Sequence, residues 1–349
     1  MAKAPRSPRR IDFRSDTVTQ PTDAMRKAMA EAEVGDDLHG EDPTVQRLQE
    51  RAAKLVGMEA ALFVPSGTMG NQIAVWVHTQ RQGAVLTDRY SHVAYYEGDG
   101  ASRLSGVGVK VLDSANGEFG EAEMAPFFLP RDPHFSPVKM VSAEDTHQFF
   151  GGRPWDPARL KAAAEAAHRR GAKFHVDGAR IFNAAVAQGT TASRLLKGAD
   201  SVMFCLSKGL SAPVGSLICG SEEFVEEAAF ARKLLGGGMR QSGHLAAAGL
   251  VALETGIDRL ADDHANAAKL GKGLADLPGC RLAFPVATNM VMLEVAKPLG
   301  VKGLVAKAAK AGVLCGARVD DDVVRFVTHR NVATADVQET LERLETALG

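Results

Sequence analysis

Three observations predict an α/β fold with a mainly parallel sheet covered by helices, followed by a smaller α+β segment. Strong helix signals alternate with short apolar runs between residues 43 and 254. Those runs are bounded by turn residues, as buried strands are. Around Thr255 the alternation stops, and two long helical stretches lead into a different pattern. Strands alternating with helices imply parallel pairing with both faces covered. In such sheets ligands bind at the carboxyl ends of the strands.

The elements follow in order. Asp42-Pro43 starts a helix whose Val45, Leu48, Leu55 and Val56 share a face, and Gly57 stops it. An apolar run, Ala60 to Val64, meets the turn Pro65-Ser66-Gly67-Thr68, and a second helix is predicted from near Gly70. Ala84–Thr87, Val138–Ser142, Lys173–Asp177, Asp200–Leu206 and Gly215–Cys219 read as short buried strands. A helix runs from Asp156-Pro157 to Arg170 and stops at Gly171. Helices are predicted at Gln241–Glu254 and Ile257–Ala275, strands at Met290–Val295 and Val323–Val327, and a closing helix at Thr334–Leu348. The predicted organisation is a disordered tail over 1–10, a large domain over 11–254 and a small one over 255–349.

Composition narrows the function. The 349 residues are 45% hydrophobic and 24% charged, and 41 basic residues against 42 acidic ones leave a net charge of -1. That balance offers no attraction to nucleic acid or to an anionic membrane. The basic run Lys3 to Arg10, broken by Pro5 and Pro8, reads as a solvated tail. No stretch approaches the roughly 20 apolar residues of a membrane span, and the first residues lack the apolar core of a signal peptide. Cys205, Cys219, Cys280 and Cys315 form no CxxC pair and no zinc pattern, so they read as buried free thiols of a reducing compartment. A soluble cytoplasmic protein without a metal site is expected.

Nucleotide-binding glycine loops, GxSxG and HExxH are absent. An acid, a lysine and a glycine turn remain. Asp177 ends an apolar strand, where an acid either caps the next segment or faces a crevice. There it could keep the ring nitrogen of pyridoxal phosphate protonated, which that cofactor needs to accept electrons. Lys208, in Leu206-Ser207-Lys208-Gly209-Leu210, follows another apolar strand. Desolvation there favours a neutral, nucleophilic amine, whereas an arbitrary lysine is more often a surface one. Ser66-Gly67-Thr68 lies between strand and helix, where free N–H groups suit a phosphate. Each signal is weak alone, and the three in this order are specific.

At these residues the chain resembles the threonine aldolases of the aspartate-aminotransferase-like fold, fold type I of the pyridoxal-phosphate enzymes. The resemblance runs from Asp12 almost to the C-terminus. It rests on Asp12–Thr19, Pro65–Thr68, Glu144–His147, His175–Asn183, Leu206–Leu210, Pro213–Ser216, Gly236–Gly243 and Arg325–His329. It implies that Lys208 carries pyridoxal 5'-phosphate as a Schiff base and that Asp177 pairs with its ring nitrogen. Gly67, Thr68 and Ser207 would hold the phosphate, and His92 would stack on the ring. Arg180 and Arg325, with Ser15, would bind the substrate carboxylate, which a guanidinium fork matches. His147 would approach the substrate hydroxyl. His92, His147 or a water would be the catalytic base. Lys233 and Arg240 would reach a neighbouring subunit's cofactor site, so a homo-oligomer with shared active sites, a dimer of dimers, is implied.

Two departures concern the mouth of the site. His39 stands where many relatives carry a tyrosine that lines the neighbouring pocket, and Gln148-Phe149-Phe150 is bulkier than the usual sequence. The implied reaction is reversible cleavage of L-threonine, L-allo-threonine and related β-hydroxy-α-amino acids to glycine and an aldehyde. The alternative is a β-eliminating lyase on the same fold, which would release keto acid and ammonia. A non-enzymatic relative would lack the lysine or the acid, and both are present.

Overall fold

The computed structural model describes residues 9–318, 320 and 323–348. A short strand β1 (Ile11–Asp12) precedes a seven-stranded sheet. Its strands are β2 (Ala60–Val64), β3 (Ala84–Asp88), β4 (Gly108–Leu112), β5 (Val138–Glu144), β6 (Lys173–Asp177), β7 (Ser201–Cys205) and β8 (Ser216–Gly220), in the order β2-β8-β7-β6-β5-β3-β4. Only β8 runs against its neighbours β2 and β7; the other pairings are parallel. The smaller part carries β9 (Cys280–Leu282), β10 (Met290–Val295), β11 (Val313–Leu314), β12 (Gly316–Ala317) and β13 (Val324–Val327). Four of these form an antiparallel sheet, β12-β13-β10-β9.

Alternation along each strand divides the core. Phe63, Val141, Phe174, Val202 and Phe204 pack on one face against helices that include 43–56, 157–169 and 243–255. Val64, Val85, Met140, Met203 and Ile218 pack on the other, against helices 67–79 and 222–234. The helix ends follow the sequence closely. Asp42 Oδ1 accepts from the N–H groups of Thr44 and Val45, Pro43 occupies the first turn, and Gly57 closes the helix at φ 71°. Asp156 and Pro157 do the same for 157–169.

Some expectations need correction. The second helix begins at Gly67, because the Ser66 side chain caps it by accepting from Met69 N–H. The strand at 216–220 is the one antiparallel member of the sheet. Ile11 and Phe13 belong to the second core, with Leu270, Leu293, Val313 and Phe326, since β1 pairs with β11 across the chain. Residues 11–13 thus pack with the small part rather than with the seven-stranded sheet. Most of the predicted tail lies outside the described residues; Arg9, within it, is paired with Asp336 at 2.9 Å.

Candidate active site

The carboxyl ends of β6 and β7 and the start of helix 67–79 enclose a cavity of about 350 Å³. Gly67, Thr68, His92, Asp177, Arg180, Ser207 and Lys208 all line it. Lys208 is half-buried, and its backbone carbonyl accepts from Thr19 Oγ1 at 3.0 Å. Gly67 is required by crowding: a Cβ there would lie 2.9 Å from Cys205 Sγ and 3.1 Å from the Met203 side chain. Its absence lets the helix start sit directly on β7.

Asp177 is buried and accepts from Ala179 N–H at 3.1 Å and from Asn71 Nδ2 at 2.8 Å. The same amide nitrogen donates to Glu97 Oε1 at 2.8 Å, and Glu97 Oε1 also accepts from His92 Nδ1 at 2.7 Å. Glu144 accepts from the backbone N–H groups of His92 and Gln148. Burial by itself would lower the His92 pKa. The Glu97 hydrogen bond and the charges of Asp177, Glu97 and Glu144 outweigh it and hold the imidazole above its ordinary value. Tyr96 stands 5.6 Å from the His92 ring in a stacked orientation.

The two expected arginines differ. Arg180 spends its fork on Asp16, with Nε and Nη2 each 2.7 Å from a carboxyl oxygen, and both residues are buried. Burial would raise the Asp16 pKa, but Arg180, Lys208 and Arg325 hold it far below the usual carboxylate range. Among the described residues Arg325 has no such partner: Nη2 donates to Arg14 O at 3.2 Å, and Nε is buried without a hydrogen bond. Burial and the Arg180 charge lower its pKa.

Arg325 and several other expected residues lie off the cavity wall. His147 is buried with Nε2 3.3 Å from Asp88 Oδ1, and it packs against Gly117 and Phe150. Ser15 caps the following turn by accepting from Thr17 N–H. His39, Lys233 and Arg240 are exposed together where 36–40 packs on 232–240: Arg240 Nη1 meets Asp36 at 2.8 Å, and Asp37 N–H donates to Arg240 O. Phe230 and Leu234, one helical turn apart, are 69% and 66% exposed on the neighbouring helix.

The donor set fits pyridoxal phosphate. The cavity offers an amine to suit its aldehyde, a carboxyl to suit its ring nitrogen and a flat imidazole to suit its ring face. The first-turn N–H groups with the Thr68 and Ser207 hydroxyls suit its phosphate. His92, Glu97 and Asp177 bring donor atoms within 4.8 Å of one another, the spacing of a metal site. Asn71 and the His92 hydrogen bond already occupy those atoms. Asn71, Glu97, Asp16, Glu144 and Tyr96 were not read from the sequence. The spacing His92–Tyr96, one turn apart, was the available signal.

Residues 12–298 match the family of β-eliminating lyases. The chain is 44% identical to low-specificity L-threonine aldolase 1 of Arabidopsis thaliana over 97% of each chain. It is 40% identical to the low specificity L-threonine aldolase of Escherichia coli K12, over 94% of this chain and 96% of that one. The solved threonine aldolase of Leishmania major superposes with a TM-score of 0.84 at 19% identity, covering 97% of this chain and 99% of that one. At that identity the superposition speaks for the fold.

Proposed function

We infer that this chain, which belongs to the β-eliminating lyases and within them to the low-specificity threonine aldolases, is a pyridoxal-phosphate-dependent aldehyde-lyase. It cleaves L-threonine, L-allo-threonine and related β-hydroxy-α-amino acids reversibly to glycine and an aldehyde, acetaldehyde for threonine. The observation that carries this reading is the convergence of Lys208, Asp177 and the helix start at Gly67 on one cavity. Pyridoxal phosphate, when bound, supplies an electron sink for the broken bond.

The chain's own residues do the rest. Lys208 would hold the cofactor through its amine. Gly67, Thr68 and Ser207 would hold its phosphate, and Asp177, which accepts from Asn71 and Ala179 N–H, would hold its ring nitrogen. Arg325 binds the substrate carboxylate and so sets which bond stands across the ring. Arg180 supports it by fixing Asp16 and contributes its charge. His92 covers the ring. With Nδ1 donated to Glu97, His92 Nε2 is the basic nitrogen that takes the β-hydroxyl proton, directly or through water. His147 holds this wall from behind, through Asp88.

A base must be unprotonated to act, and the His92 pKa is raised, so kcat/KM should rise with pH through a value above that of free histidine. Glu97→Gln removes the largest upward influence and should move that limb to lower pH; a limb that stays in place would remove His92 from the role. The β-eliminating lyase alternative shares the family name and the lysine–acid pair. Incubation with glycine and acetaldehyde separates the two. The aldolase makes threonine and allo-threonine, and a lyase confined to elimination makes neither.

The active form is a homo-oligomer, a dimer of dimers, in which His39, Lys233 and Arg240 complete a neighbour's site. Exposed Phe230 and Leu234 beside those residues support it, since such a pair is costly in water. Sedimentation of a Phe230→Glu, Leu234→Glu double variant should give a smaller, inactive species; an active monomer of the unaltered chain would contradict the shared site. Among the described residues no helix is long and apolar enough to cross a membrane. Four free thiols suit a cytoplasmic location.

A further inference from the structure

Behind the cavity, five side chains form one hydrogen-bonded line. His78 Nε2 lies 2.7 Å from Ser201 Oγ, and Ser201 Oγ lies 2.8 Å from His175 Nδ1. His175 Nε2 lies 3.1 Å from Asn71 Oδ1, and Asn71 Nδ2 donates to Asp177. Local structure assembles the line. Asn71 and His78, seven apart, share a face of helix 67–79. His175 and Asp177 alternate onto one face of β6, the face that helix covers. Ser201 is the register partner of His175 on β7. The outer end, His78, stacks on Phe224 at 4.7 Å and lines an open cleft of about 760 Å³.

Bonding capacity gives the line a direction. An amide side chain has two N–H donors at one end and only an acceptor at the other. Asn71 turns its nitrogen to two carboxyl groups, Glu97 and Asp177, so its oxygen faces His175. An amide oxygen cannot donate, so His175 carries its proton on Nε2. Burial pushes the His175 pKa down to about 4, against the pull of Asp177, so the ring is neutral. Nδ1 is then an acceptor, and among the described residues the Ser201 hydroxyl is its hydrogen-bond partner. Ser201 Oγ in turn accepts from His78 Nε2. Every donor points toward Asp177.

We propose that His175 is a positioning residue for the reaction: through Asn71 it keeps Asp177 aimed as an acceptor for the cofactor's ring nitrogen. This rests on the reading of Asp177 as the partner of that nitrogen. The alternatives are costly. A reversed Asn71 amide sets its oxygen against two carboxyl groups. The other His175 tautomer leaves Asn71 Oδ1 buried without a donor. Removing the His175 donor frees Asn71 to rotate, and Asp177 loses one of its two N–H partners.

The test uses holoenzyme loaded with pyridoxal phosphate carrying an isotope-labelled ring nitrogen, whose resonance reports protonation. In the unaltered enzyme the nitrogen is protonated. In His175→Phe the resonance moves toward the free-base position, and the cofactor binds about tenfold more weakly, the size of one buried hydrogen bond to a charged group. His175→Gln, whose Nε2 can donate to Asn71, restores most of both. Ser201→Ala gives a smaller shift in the same direction and decides the matter alone if His175→Phe does not fold. Asp177→Asn is the control and should abolish the protonated signal. If it does not, the reading of Asp177 fails, and the role of His175 falls with it. If Asp177→Asn moves the resonance and both His175→Phe and Ser201→Ala leave it unmoved, His175 only packs the core, and the proposal is wrong.

Discussion

Replacing Lys208 with alanine should abolish turnover, lowering kcat by at least about 10³-fold, because acid–base work alone is worth 10²–10⁴ and the covalent link is lost with it. The visible absorbance that pyridoxal phosphate acquires on joining the enzyme should vanish too. Lys208 is the lysine on the cavity wall, at the end of β7 and opposite Asp177. The change removes one half-buried side chain and leaves the Thr19 bond to the Lys208 carbonyl, which is a backbone contact. The fold should therefore survive, and loss of activity with an unchanged melting profile separates chemistry from structure. An unaltered absorption spectrum would move the covalent link to another residue.

Arg325→Ala should raise KM for amino-acid substrates roughly ten- to a hundredfold, the worth of about 1.5–3 kcal/mol for a charge-assisted hydrogen bond. Arg180 has its own buried carboxylate, whereas Arg325 is desolvated, faces another guanidinium, and has an unsatisfied Nε. A half-buried cation whose nearby carboxylate, Asp16, is already paired with Arg180 gains from an arriving carboxylate. The contrast with Arg180 sharpens the prediction. Arg180→Ala strands Asp16 as an unpaired buried charge and should cost about 3–5 kcal/mol of stability. An unchanged KM in Arg325→Ala would remove Arg325 from the substrate site.

The legible parts of this protein are those written locally. Asp42-Pro43 with Gly57, and Asp156 with Pro157, mark helix ends that the structure reproduces. Asp177 ends one short buried strand and Lys208 follows another, so their place at the strand ends could be read. The edge strand Gly108–Leu112 could not, because it is half-exposed and shows no apolar run. Ile11 gave no sign of its core, since its pairing partner Val313 lies at the other end of the chain. The same distance hides Asp16 from Arg180, 164 residues on, and Asn71 from Asp177, 106 residues on. The place of His147 was not legible either: Gly117, whose missing Cβ would fall 2.6 Å from the imidazole, makes room for that ring beside Asp88.

The most direct test is product analysis with added pyridoxal phosphate and either L-threonine or L-allo-threonine, assaying aldehyde, glycine, keto acid and ammonia together. The account predicts glycine and acetaldehyde in equal amounts, and the two rates give the diastereomer preference. Keto acid and ammonia without glycine would contradict it and identify the chain as a β-eliminating enzyme.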